Sequence, residues 1–143
     1  MIVDTTYSNK KTNQLINDLV GKPYSLFEIF KMRGIGSKRM IIEEASPNFQ
    51  TYLNSISDPT YANLELRPNG LLIRINKGLR NFTWVIPFYQ LVIYKTNGSS
   101  IHAQGKFIHF KNNITFKENK WFFDKLLDKK VEFEEQYDFM GIS

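Results

Sequence analysis

Apolar positions change their period twice along this chain, from helical to strand spacing and back. Up to Pro59 they recur mostly at helical spacing. Thr12–Val20 places Leu15, Ile16, Leu19 and Val20 on one side of a helix, which Thr12 can cap and Gly21 and Pro23 stop. Ser25-Leu26-Phe27-Glu28 has the form of a capping box, in which serine and glutamate satisfy each other's backbone N–H groups. It predicts a second, short helix carrying Leu26, Phe27, Ile29 and Phe30, ended by Gly34 and Gly36. Lys38–Glu44, with Met40, Ile41 and Ile42, reads as a strand. Ser46-Pro47 pairs an N-cap residue with a first-turn proline and predicts a third helix. Phe49, Leu53 and Ile56 share its face up to Asp58-Pro59.

From Ala62 the period becomes that of strands. Leu64 and Leu66 alternate with Glu65 and Arg67, and Asn69-Gly70 signals a hairpin into Leu71–Ile75. Lys77-Gly78 is the next turn. Phe82–Ile86 and Phe88–Tyr94 are apolar at nearly every position, as strands covered on both faces are, and so read as central. Pro87 between them cannot donate to a ladder and marks a bulge or bend. Turns at Asn97-Gly98 and Gln104-Gly105 bracket Ser99–Gln104, and Lys106–Lys111 follows. Thr115-Phe116-Lys117-Glu118 is a second capping box. Beyond it Phe122, Phe123, Leu126 and Leu127 line one helix face, and Asp124, Lys125, Asp128 and Lys129 the other. Val131–Phe139 is an acidic, aromatic tail.

About seven strands joined by tight turns, then one amphipathic helix, predict an α+β protein. Its sheet is antiparallel, either closed as a barrel or strongly bent. Helices precede it, and a C-terminal helix covers its apolar face and edges. No repeat or linker interrupts the chain, so 1–143 reads as a single domain: a helical portion 1–60, a sheet 61–117, and a helix with an acidic tail 118–143. This element order resembles the pleckstrin-homology-like domain, a barrel of seven strands and a C-terminal helix. The resemblance covers roughly Lys38–Lys130 and lies in element order alone. Phosphoinositide-binding members carry a Lys, a spacer, then Lys/Arg-x-Arg across their first two strands. Lys22, Lys31 and Arg33 match that spacing but fall on and around a predicted helix, so no headgroup site is carried over.

Charge sharpens the division. Residues 1–60 hold seven Lys/Arg against six Asp/Glu, net +1. Residues 61–117 hold eight against the single acid Glu65, net +7, and 118–143 four against seven, net −3. The total is +5. A basic sheet can meet an anionic partner, or its lysines can simply discourage edge pairing while the acidic tail folds back on it. Arg74, Lys77 and Arg80 cluster around one predicted turn and are the candidate anion- or partner-binding residues. Tyr89, Tyr94 and Phe107 would supply stacking if exposed.

Catalytic signatures are sparse. The chain has no Cys, which excludes disulfides, thiolate nucleophiles and Cys-ligated metals and suits a reducing compartment. The N-terminus lacks a signal-peptide core, and Phe82–Tyr94, interrupted by Thr83, Pro87 and Gln90, is shorter than the roughly 20 apolar residues a membrane helix needs. A cytoplasmic protein without a transmembrane segment is expected. If Gln104-Gly105 is a two-residue turn, 102 pairs with 107, and His102 and His109 lie diagonally on one face, with no third metal ligand evident. Ser100 shares that strand face with His102 but has no nucleophile elbow and no acid to orient the imidazole. Glu43 and Glu44 should point to opposite faces and form no dyad. Arg33-Gly34-Ile35-Gly36-Ser37 lacks the end of a phosphate loop. The sequence thus implies no catalytic, metal or cofactor-binding residues. It favours a non-enzymatic protein-binding module, with an open strand edge as one route of contact. The alternatives are binding of membrane headgroups or nucleic acid through the basic sheet, and a small-molecule or enzymatic cleft.

Overall fold

The structure, a computed structural model, describes residues 1–55 and 57–139, and the side chains among them up to residue 136. The chain runs β1 (Ile2–Asp4), α1 (Lys10–Val20), α2 (Leu26–Lys31), β2 (Met40–Ala45), a 3-10 turn (Pro47–Tyr52), β3 (Thr60–Arg67), β4 (Gly70–Lys77) and β5 (Arg80–Pro87). A second 3-10 turn (Phe88–Gln90), β6 (Val92–Tyr94), β7 (Ser99–Ala103), β8 (Lys106–Phe110), α3 (Ile114–Lys117) and α4 (Lys120–Phe139) complete it. All neighbouring strands are antiparallel, in the order β1-β5-β4-β3-β2-β8-β7-β6. The α+β class and antiparallel sheet agree with the sequence reading. The sheet has eight strands rather than about seven, because the N-terminal Ile2–Asp4 adds an edge strand too short to show a period.

The ladder ends at β1 and β6, so the expected barrel is not closed. It is nonetheless sharply bent. Gln104, between β7 and β8, accepts from the Trp84 indole Nε1 at 3.2 Å and donates to the Val85 carbonyl at 3.0 Å, both on β5. In a flat sheet β8 and β5, four steps apart, would be separated by roughly 19 Å. One side chain spans them only because the sheet curls toward itself.

The concave face holds the main core: Leu64, Leu66, Leu71, Ile73, Trp84, Ile101 and Phe110, closed by Phe122, Phe123 and Leu126 of α4. These α4 positions are the ones the helical period selects. On the convex face Ile16 and Val20 of α1 pack on Leu72 and Val85. Covered on both sides, β4 and β5 therefore read as continuous apolar runs. Gly70 makes the α1 contact possible. A Cβ there would lie 2.4 Å from Val20 Cγ1 and 2.5 Å from the Ile86 carbonyl.

Local signals were partly overruled. Asn9, not Thr12, caps α1, accepting from Lys11 N and Thr12 N. The hairpin pairs Arg67 with Gly70, so its two-residue loop is Pro68-Asn69 rather than Asn69-Gly70. Pro47–Tyr52 is a 3-10 turn and not the expected α-helix to 56, and Ile56 lies outside the described residues. Ser46 does not cap it: its hydroxyl instead bonds Asn48 and accepts from Phe107 N on β8. Phe88–Tyr94 is not a central strand. After Pro87 it forms a 3-10 turn and then the edge strand β6, whose Val92 and Tyr94 are exposed. The Thr115 capping box does not form. Asn113 caps α3, and the buried Asn119 side chain separates α3 from α4 by bonding Lys38 N, the Lys38 carbonyl and the Thr115 carbonyl. The tail continues α4 to Phe139, and among the described residues its carboxylates pair with Lys129 and Lys130 of the same helix rather than with the sheet.

Candidate interaction surface

The three cations singled out in the sequence sit around the β4–β5 turn as expected, but on two faces. Lys77 and Arg80 are direct cross-strand partners, whereas Arg74 pairs with Thr83 and points to the opposite side. Each has a partner inside the protein. Arg74 meets Glu65 at 3.3 Å, and the other Glu65 oxygen takes the buried Arg67 at 3.0 Å, so the lone acid of the sheet region answers two arginines. Lys77 donates to the Thr51 carbonyl at 2.7 Å, at the end of a 3-10 turn. Arg80 pairs with Asp4 at 2.8 Å and lies over the Phe82 ring. The Arg80 guanidinium, helped by Thr6, holds the Asp4 carboxyl down to about 2.

The histidines lie on the convex face in the expected register, His102 opposite Phe107. That register also sets Ser100 directly opposite His109, so its partner is His109 and not His102 on its own strand. Ser100 Oγ is 2.6 Å from His109 Nδ1, and His109 Nε2 is 3.0 Å from the Asn97 carbonyl. A carbonyl only accepts, so Nε2 carries the proton and Nδ1 accepts from the serine. Ile42 pairs with Phe110, so the next residue, Glu43, faces the same side as His109 and reaches to 3.7 Å of the same Nε2, while a bulge brings Glu44 into register with His109. With Nε2 committed to a loop carbonyl, the serine–histidine contact ties the β6–β7 turn to β8. Among the described residues no group of three or more His, Asp or Glu could hold a metal ion.

The surface that departs furthest from expectation is made by α1 and α2. Leu26, Phe27 and Phe30, carried by the short helix the sequence predicts, are 86%, 74% and 84% exposed. Leu15 and Leu19, one turn apart on the outer side of α1, are exposed as well. Exposure of this kind does not reflect a frayed helix. The capping box of Ser25 and Glu28 is formed in both directions. At the other end Gly34 N bonds the Ile29 carbonyl and Arg33 N the Phe30 carbonyl, with Arg33 left-handed at φ 60°, a Schellman motif. Beyond it Lys125 of α4 donates to the Met32 and Gly34 carbonyls, and Leu66 N to Ile35. Burial lowers the Lys125 ammonium pKa from its usual value. Both ends of α2 are thus fastened while its apolar side chains project outward.

The segment that carries these side chains is basic. Residues 10–33 carry Lys10, Lys11, Lys22, Lys31 and Arg33 against Asp18 and Glu28, five to two, net +3. None of the five makes an ion pair with a described residue, in contrast to Arg67, Arg74 and Arg80. Lys22, Lys31 and Arg33 lie around α2 and not on a strand pair, as the sequence indicated.

The fold and these side chains define an α+β protein with one bent antiparallel sheet and exposed apolar residues on α1 and α2. Compared with known proteins, the chain matches no family model, no curated protein and no solved structure. Among the described residues no helix is long and apolar enough to cross a membrane.

Proposed function

We propose that this protein is a non-enzymatic binding module that recruits a protein partner on the outer surface of α1 and α2. The observation that carries the reading is the exposure of Leu26, Phe27 and Phe30 on a helix fixed at both ends. Large apolar side chains held rigidly in water gain free energy when a partner covers them, and aromatic anchors of this kind dominate interfaces. The unpaired cations around them select the partner's chemistry: an amphipathic segment with an apolar face and acidic flanks. The sheet is the frame that holds α1 and α2. A run of strands followed by a C-terminal helix also supports the pleckstrin-homology-like reading, with the partner site on added N-terminal helices.

A photo-crosslinking residue at Phe27 tests this directly. The expected product is a protein joined through an acidic, amphipathic segment. Its binding should be saturable, weaken with salt, and be lost in Leu26→Ser/Phe27→Ser/Phe30→Ser at unchanged Tm. Equal binding of the triple variant sinks the proposal, as does crosslinking to lipid in anionic vesicles, to a second copy of this chain, or to nothing.

A further inference from the structure

A second site lies away from α1 and α2, where the turn joining β6 to β7 faces the junction of α3 and α4. A cleft of about 320 Å³ is lined there by Lys95, Gly98, Ser99, Phe116, Lys117, Lys120, Phe123 and Asp124. That volume lies at the lower end of the roughly 300–1,000 Å³ range of small-molecule clefts.

Three features of its wall point the same way. The floor is aromatic: Phe116 and Phe123 have ring centroids 5.3 Å apart, tilted by 45°. The rim is cationic. Lys120 is held by Asp124 at 2.8 Å, which also accounts for the one carboxylate in the cleft and holds it ionised, its pKa lowered first by that hydrogen bond. Lys95 and Lys117 make no ion pair with a described residue. The third feature is Ser99. It is 2% exposed, sits on the concave face opposite Phe110, and lines the cleft, yet its hydroxyl makes no hydrogen bond to a described residue. Among the described residues no buried side-chain polar atom lacks a hydrogen-bond partner, so the Ser99 oxygen is open to solvent at the cleft wall and free to answer an acceptor there. Two ammonium groups without an ion pair (Asp124, bonded to Lys120, also feels the Lys95 charge) and a hydroxyl without a hydrogen bond, beside an aromatic floor, are complementary to an anion with a flat apolar body.

We infer that this cleft binds a small organic anion, an aromatic ring bearing a phosphate or carboxylate. The headgroup meets Lys95, Lys117 and the Ser99 hydroxyl, and the ring lies on Phe116 and Phe123. Gly98 shapes the turn that forms this wall of the cleft. At φ 107° it adopts the left-handed region that glycine accepts, and a Cβ there would lie 3.0 Å from the Phe110 carbonyl.

The test is a titration of the full chain, followed by amide NMR, with phenyl phosphate, benzoate, inorganic phosphate and benzyl alcohol. Phenyl phosphate or benzoate should bind saturably, perturb Gly98, Ser99 and Lys117, and bind more tightly than either inorganic phosphate or benzyl alcohol. Which of the two binds better identifies the headgroup. Lys95→Gln/Lys117→Gln, both surface changes, should weaken that binding about tenfold or more, as loss of a charge-assisted contact implies, with Tm unchanged. Benzyl alcohol binding as well as its charged analogues would overturn the inference. So would equal affinity in the double variant, or perturbations mapping elsewhere. The α1–α2 surface plays no part in this experiment, so its outcome is independent of the protein-partner proposal.

Discussion

Single residues decide how the charge map works. The sheet region is strongly basic in sequence, yet Glu65, Asp4 and the Thr51 carbonyl answer its arginines and Lys77. Spacing alone cannot show this, since Asp4 and Arg80 are brought together only by the β1–β5 pairing. The Asp4 pair has a readable consequence. Its folded pKa, about 2, lies below its ordinary 3.8. A depressed carboxylate contributes stability that is present above the ordinary value and lost as pH falls through the folded one. Wild type should therefore lose a component of stability between about pH 4 and pH 2 that Asp4→Asn lacks. Urea midpoints of both proteins at pH 5 and pH 2.5 check this, and parallel losses would refute it. The serine–histidine contact teaches the complementary lesson. It was legible in the register, because pairing 102 with 107 also pairs 100 with 109. The approach of Glu43 was not, because it depends on β2 pairing with the distant β8, which no local pattern shows.

At the scale of elements, local period fixed type better than extent. The α2 capping box, the Asn97-Gly98 and Gln104-Gly105 turns and the apolar face of α4 were all visible in sequence. The 3-10 turn at Pro47–Tyr52 was not, since Ser46 spends its hydroxyl on β8 instead of capping a helix. Nor was the edge position of β6: an apolar run looks alike whether two layers cover it or none. Gly70 is the clearest case of an element-level requirement. It reads as a turn glycine but is the first residue of β4, and its missing side chain lets Val20 of α1 seat on the sheet. Gly70→Ala should cost about 2–3 kcal/mol through overpacking against Val20 and the Ile86 carbonyl. Gly78→Ala, where a Cβ has no neighbour within 4 Å, is the comparison, with strain at its positive φ of 57° as its only penalty. Chemical denaturation measures both, and a smaller loss at Gly70 than at Gly78 would show that α1 docking does not depend on the glycine.

For the whole molecule, curvature is the property that organises the rest. The curl gives a concave face for α4 and a convex one for α1, and the Gln104 amide spans its two arms. Gln104→Asn keeps a residue type that tolerates the left-handed backbone but shortens the reach, leaving the buried Trp84 indole N–H unanswered. It should lower stability by about 1–3 kcal/mol with an unchanged urea m-value. An unaltered midpoint would mean that the curl is held by core packing alone. The sequence by itself determined the α+β class, most of the element order and the positions of the turns, because these follow from local periodicity and from the backbone preferences of Gly, Pro, Asn and Ser. Tertiary structure alone decided which apolar residues are buried and which cations are free. Burial and pairing depend on what arrives from elsewhere in the chain. Leu26, Phe27 and Phe30 are large apolar residues, but among the described residues no element folds over them. Arg67, Arg74, Lys77 and Arg80 of the sheet find acids and carbonyls, while Lys95 and Lys117 and the cations of residues 10–33 make no ion pair with a described residue. Both proposed sites come from that sorting, and for that reason neither was visible in the sequence.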